Sequence, residues 1–70
     1  MESRFTVSGP GLEERAYPQP GPALSAAITF ACRRRDESTF YVRDVAGDAV
    51  GRVENDGRGA INVYRLRGDR

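Results

Sequence analysis

Three segments in the second half of the chain are rich in β-branched and aromatic residues, and short turn sequences separate them. The segments are STFYVRDV, AVGRVE and AINVYRL, and the separators contain Gly47-Asp48 and Asp56-Gly57. Glycine and aspartate between such segments are among the strongest short-range signals for a β-hairpin. The sequence therefore predicts a three-stranded antiparallel meander.

Residues 22–35, which precede the meander, fit either a helix or a strand. As a helix, with Pro22 in the first turn, they would carry one apolar stripe with Phe30 on its flank. That stripe consists of Leu24, Ala27, Ile28 and Ala31. As a strand, Ile28, Phe30 and Cys32 would occupy alternate positions on one face, and RRDES would be a hairpin loop. Four alanines and a leucine favour the helix.

We therefore expect an α+β fold in which one helix packs on a small antiparallel sheet, in the order ββαβββ. The alternative is an all-β meander. The two N-terminal strands are RFTV and LEERAY, and residues 1–70 are expected to form one small domain with a disordered tail over 67–70. The predicted core consists of Leu24, Ile28, Phe30, Ala31, Phe40, Val42, Val53 and Tyr64.

Two-residue turns at Gly47-Asp48 and Asp56-Gly57 would fix the strand register and divide the meander into two faces. They pair Val42 with Val53 and Val50 with Val63. The face expected to lie under the helix carries Phe40, Val42, Val53, Ala60, Tyr64 and Leu66. The other face carries Tyr41, Arg43, Val45, Val50, Arg52, Ile61, Val63 and Arg65. Aliphatic residues flanked by arginine and tyrosine predict that this second face is a contact surface, unless the N-terminal strands cover it.

Arginine supplies all 11 basic residues, and a high-GC genome explains this because arginine codons are GC-rich and lysine codons are not. The net charge is only +1, far from the basic balance of a dedicated nucleic-acid binder. The run Arg33, Arg34 and Arg35 could bind phosphate or simply complement the negative end of the helix dipole. Asp36 and Glu37 follow at once and favour the second role.

The chain does not contain the residues that most catalytic mechanisms require. Without histidine or lysine the chain cannot build a Ser-His-Asp triad or a Schiff base, and a single cysteine forms no internal disulfide. Carboxylates lie close together at predicted turns or strand ends, where aspartate serves the backbone; the pairs are Asp36/Glu37, Asp44/Asp48 and Glu54/Asp56. We expect a protein that is not an enzyme, binds no cofactor or metal and, having no long apolar segment, is cytoplasmic.

Two functions remain open at this level. The favoured one is a small protein-interaction module, of an accessory, regulatory or inhibitor type, that also self-associates through the second sheet face by way of Val45, Val50, Ile61 and Val63. The alternative is a nucleic-acid-binding module that uses Tyr41, Arg43, Arg52 and Arg65 on that face, with Arg33, Arg34 and Arg35 beside it.

Overall fold

The computed structural model describes residues 4–66 and shows one helix on a five-stranded sheet. The elements are β1 (Phe5–Gly9), β2 (Leu12–Tyr17), α1 (Pro20–Cys32), β3 (Glu37–Arg43), β4 (Ala49–Asp56) and β5 (Ile61–Arg65). The strands are ordered β2-β1-β3-β4-β5, and all neighbours are antiparallel. This confirms the α+β prediction over the all-β alternative. The tail predicted to be disordered, residues 67–70, lies outside the described residues.

The helix begins two residues earlier and ends three residues earlier than the segment considered from sequence. Gln19 has an extended backbone at the N-cap, and Pro20 follows where a missing N–H costs nothing. At the other end the N–H of Arg33 donates to the carbonyl of Phe30 at 3.2 Å, which closes the last turn tightly. The three arginines therefore follow the helix rather than occupy its last turn.

Small side chains bring the helix close to the sheet. Ala23, Ala27 and Ala31 recur every four residues on one side of α1, and all are fully buried. They meet the largest buried side chains of the sheet, which are Phe40, Val7, Val42 and Val53. Leu24, Ile28 and Phe30, predicted as core residues, flank this row and are partly buried.

Asn55 is a buried polar residue that links β4 to the end of the helix. Its Nδ2 donates to the carbonyl of Ala31 at 2.8 Å and to that of Arg34 at 2.9 Å. Its Oδ1 accepts the N–H of Gly57 at 2.7 Å. Carbonyls at a helix C-terminus lack intrahelical partners, and this side chain supplies donors to two carbonyls there, of which that of Ala31 also accepts the N–H of Arg34 at 3.1 Å.

The strand register differs from the predicted one. Val53 lies opposite Phe40 rather than Val42, a shift of two residues that leaves Phe40, Val42 and Val53 on their expected face. The prediction paired Val63 with Val50, but Val63 lies opposite Val53. This shift of three residues reverses the faces of β5. Tyr64 is consequently not in the core, and 39% of it is exposed.

Aspartate side chains explain the difference in register, because they close longer turns than the predicted two-residue ones. Oδ1 of Asp56 accepts the N–H of Arg58 and of Ala60, which lengthens the β4–β5 connection. Oδ1 of Asp44 does the same for Ala46 and Asp48 between β3 and β4. Ala60, expected under the helix, is exposed in the first of these turns.

Within residues 4–66, the single helix is too short to cross a lipid bilayer.

Replacing Gly9 by alanine tests the close approach of β1 to the core. A Cβ at this position would overlap the ring of Phe40, whereas a Cβ at Gly21, near the start of the helix, would meet no atom within 4 Å. We expect Gly9→Ala to lower the free energy of unfolding by roughly 1–3 kcal/mol, as overpacked cores do. Gly21→Ala is expected to be neutral or slightly stabilising in urea denaturation. Equal effects of the two substitutions would contradict this packing.

Asn55→Ala tests the link between β4 and the helix. The substitution leaves the Arg34 carbonyl and the Gly57 N–H without this partner, at a cost of roughly 1–3 kcal/mol for each group that stays buried. Asn62→Ala is the matched control, because Asn62 lies exposed on β5 and should change stability by less than about 0.5 kcal/mol. Thermal or urea denaturation of both variants measures the difference.

Candidate functional site

The helix covers one face of the sheet, and no helix or strand of residues 4–66 covers the other. The helix packs against Phe40, Val42 and Val53, so alternate residues of the strands point to the opposite side. We call this side the open face, and its side chains include those of Thr6, Ser8, Thr39, Tyr41, Arg43, Arg52, Glu54, Asn62 and Tyr64. The two N-terminal strands do not cover it, since β1 pairs with β3 and extends the same sheet.

A row of paired residues crosses the open face from β1 to β5. Ser8 lies opposite Tyr41, Tyr41 opposite Arg52, and Arg52 opposite Tyr64. The guanidinium carbon of Arg52 lies 4.5 Å from the centroid of the Tyr64 ring. Arg43 stacks in the same way on Tyr41, at 5.2 Å. Each stack favours the observed conformation by about 0.5–1 kcal/mol at an exposed site, so the two tyrosines are held in place before any partner binds.

Glu54 brings a negative charge to the same face. Its Oε2 lies 3.2 Å from Nε of Arg52, and both side chains are about one-third exposed, at 35% and 34%. The distance makes this an ion pair, but the geometry is not that of a hydrogen bond, and Nε is shielded from solvent with no hydrogen-bond partner in the described part of the chain. The open face therefore carries both signs of charge.

Arg34 has a structural contact that the sequence did not reveal. Its Nε and Nη2 donate to the two carboxylate oxygens of Asp36 at 3.2 and 3.1 Å. Its Nη1 donates to the carbonyl of Pro10 at 3.2 Å, which links the segment after the helix to the β1–β2 turn. Arg33 and Arg35, by contrast, are exposed. The three arginines thus differ in role, and Arg34 is committed to the fold.

The aliphatic residues predicted for the second face lie elsewhere. Val45 is in the β3–β4 turn and is 77% exposed. Val50 lies at the β-bulge of β4, beside the core. Ile61, Val63 and Arg65 lie on the helix side of β5, because of the shifted register. The four aliphatic side chains that were expected to drive self-association through this face are therefore absent from it.

Of the residues predicted for this site, the structure brings Tyr41, Arg43 and Arg52 together. It adds Tyr64, which sequence reasoning placed in the core, and Glu54, which sequence reasoning placed at a turn or strand end. The segment NDGRGA contains the signal that was missed, since an aspartate followed by two glycines permits a long turn closed by the carboxylate. A longer turn there would have turned Tyr64 outward.

Two clefts of about 330 Å³ each lie away from the open face. One is apolar and includes Leu24, Val50 and Leu66; the other lies at the end of the helix and includes Cys32 and Ile61. Neither is lined by an aspartate or a glutamate. In residues 4–66 no three histidine, cysteine, aspartate or glutamate side chains are grouped so as to hold a metal ion.

Comparison with known proteins finds no matching family model, no matching curated sequence and no matching solved structure. The function is therefore argued from the residues of this chain.

The Arg34–Asp36 pair gives a prediction about pH. The hydrogen bond from the Arg34 guanidinium, with further contributions from the backbone N–H of Asp36 and from the Arg34 charge, holds the pKa of the Asp36 carboxyl below its ordinary 3.8. A lowered folded-state pKa means that the ionised carboxylate stabilises the fold above pH 3.8, and that this contribution is lost as the pH falls through the folded-state pKa. The stability difference between the wild type and Asp36→Asn should follow that course.

Urea denaturation from neutral pH to below 3.8 measures this difference. The effect should be small because the pair is exposed to solvent. In an Arg34→Gln background, Asp36→Asn should show a weaker pH dependence, which isolates the pair from the other carboxylates. A difference that grows on acidification would contradict the assignment.

Proposed function

We propose that this protein is a non-enzymatic protein-interaction module whose open face binds another protein. The observation that carries the proposal is the uncovered row of tyrosine and arginine, in which Arg52 stacks on Tyr64 at 4.5 Å and Arg43 on Tyr41 at 5.2 Å. An accessory, regulatory or inhibitor role fits such a module.

Tyrosine and arginine are the side chains that protein interfaces use most effectively. Both are enriched at binding hot spots, because they offer a large contact area together with polar groups. Tyr41, Arg43 and Arg52 are only partly exposed, so little conformational freedom remains for a partner to restrict. The presence of Glu54 among them supports a partner with both signs of charge.

The absence of histidine and lysine from the chain supports a role without catalysis. Proton transfer near neutral pH uses histidine most often, and otherwise a residue whose pKa is strongly shifted by its surroundings. The two clefts are lined by no aspartate or glutamate, and Asp36, whose carboxyl has a lowered pKa, belongs to an exposed pair with Arg34.

Nucleic acid is the competing partner, because tyrosine rings on an open sheet can stack with bases. Two features favour protein instead. The net charge is +1, and Glu54, which lies between Thr39 and Asn62, is in the row next to the arginine row of the open face. Both features weaken the attraction for phosphate that dominates nucleic-acid affinity.

Substitutions on the open face test the proposal. Partners are captured with the tagged wild type, and with Tyr41→Ala and Arg43→Ala, from cells that express the chain, and are compared by quantitative mass spectrometry. Arg58→Ala is the matched control, because it removes the same charge as Arg43→Ala from an exposed turn. A protein that binds through the open face should be retained by the control and lost by the other two variants.

Titration with the purified partner then gives the magnitude. A hot-spot residue contributes roughly 2 kcal/mol, so each open-face variant should bind about 30-fold more weakly than the wild type. Fluorescence anisotropy with single-stranded RNA and DNA is run in parallel. Salt-dependent nucleic-acid binding that these variants abolish, with no protein lost from the captures, would overturn the proposal in favour of the alternative.

A further inference from the structure

The outer side of β5 is an unpaired sheet edge. β5 is the last strand of the sheet, and within residues 4–66 no segment pairs with its outer side. Four of its five residues are exposed, and Val63 is 43% exposed. Unpaired N–H and C=O groups along such an edge are able to pair with another strand.

The hydrogen bonds to β4 show which backbone groups point outward. The N–H of Asp56 donates to the carbonyl of Ala60, and the N–H of Leu66 donates to that of Val50. Because hydrogen-bonded and non-hydrogen-bonded pairs alternate in antiparallel strands, Asn62 and Tyr64 direct their backbone groups towards β4. Those of Ile61, Val63 and Arg65 therefore face the outer edge.

The other edge of the sheet is protected in a way that β5 is not. β2 carries Glu13, Glu14 and Arg15 in its middle, and Pro18 follows it. Charged residues and proline at an edge oppose pairing with another chain. β5 has a single charged residue, Arg65, at its end. The two edges thus differ, and only β5 is open to pairing.

We propose that β5 pairs with β5 of a second copy of this chain, antiparallel and about a two-fold axis at Val63. This register places Val63 opposite its own copy and Ile61 opposite Arg65 of the second copy. All three residues of β5 whose backbone groups point outward then form hydrogen-bonded pairs, about six hydrogen bonds in all. A two-fold axis makes the same strand complementary to itself, as in most homodimers.

The side chains of β5 fit this register. On the helix side of the sheet, the exposed Val63 packs against Val63 of the second copy. The helix α1 leaves room for this contact because it packs mainly over β1, β3 and β4. The two Arg65 side chains start from positions roughly 13 Å apart along the strands, beyond a Debye length of about 8 Å. A two-fold pairing of β2 about Glu13, Glu14 or Arg15 would instead place identical charges face to face.

Val63→Pro tests the proposal because it removes an outward N–H and none that pairs with β4. Sedimentation equilibrium from micromolar to millimolar concentration should show the wild type rising towards twice the 7.7 kDa of one chain. Val63→Pro should stay at 7.7 kDa, with an unchanged circular dichroism spectrum. A wild type that is monomeric throughout this range would overturn the proposal and leave the edge to a different chain.

Disulfide cross-linking decides the matter if Val63→Pro does not fold. In a Cys32→Ser background, Val63→Cys should form a covalent dimer under mild oxidation, because residues in such a pair lie about 5.5 Å apart, within the range for a disulfide. Val45→Cys is the control, since it is 77% exposed but lies in the β3–β4 turn. Cross-linking of Val63→Cys that is no faster than that of Val45→Cys would exclude this pairing.

Discussion

The amide of Asn55 joins the end of β4 and the β4–β5 turn to the end of the helix, which is more than 20 residues away in sequence. Its two N–H groups hold the carbonyls of Ala31 and Arg34, and its oxygen holds the N–H of Gly57. All of the hydrogen-bonding atoms are thus used at once, which suits a side chain that is only 4% exposed. The end of the helix, the end of β4 and the β4–β5 turn are positioned by one residue.

That arrangement requires the helix to lie near the sheet, and small residues make this possible. The row Ala23, Ala27 and Ala31 faces the core without bulk, and Gly9 leaves space for the ring of Phe40. A larger residue in the row would move the helix away and lengthen the hydrogen bonds of Asn55. Packing and hydrogen bonding therefore depend on each other on this side of the sheet, although no disulfide or metal strengthens the fold within the described residues.

The fold class and the identity of most core residues could be predicted, because they follow from local periodicity. Phe40, Val42 and Val53 occupy the predicted face, since a two-residue change of register preserves alternation. Tyr64 could not be placed, because its face depends on how many residues the Asp56 carboxylate closes into a turn. Hydrophobic patterning contains no information on that number. The candidate site was accordingly predicted in part: Tyr41, Arg43 and Arg52 were found, and Glu54 and Tyr64 were not.

Alternation along β3 and β4 also separates two kinds of evolutionary constraint. Residues that face the helix are constrained in side-chain size, as the ring of Phe40 beside Gly9 shows. Their neighbours Thr39, Tyr41 and Arg43 lie on the opposite face of the sheet, where mutation can alter them at little cost in stability. Gene duplication followed by drift at these positions would yield proteins with the same scaffold and different recognition. The fold is in this sense a frame on which specificity can diverge.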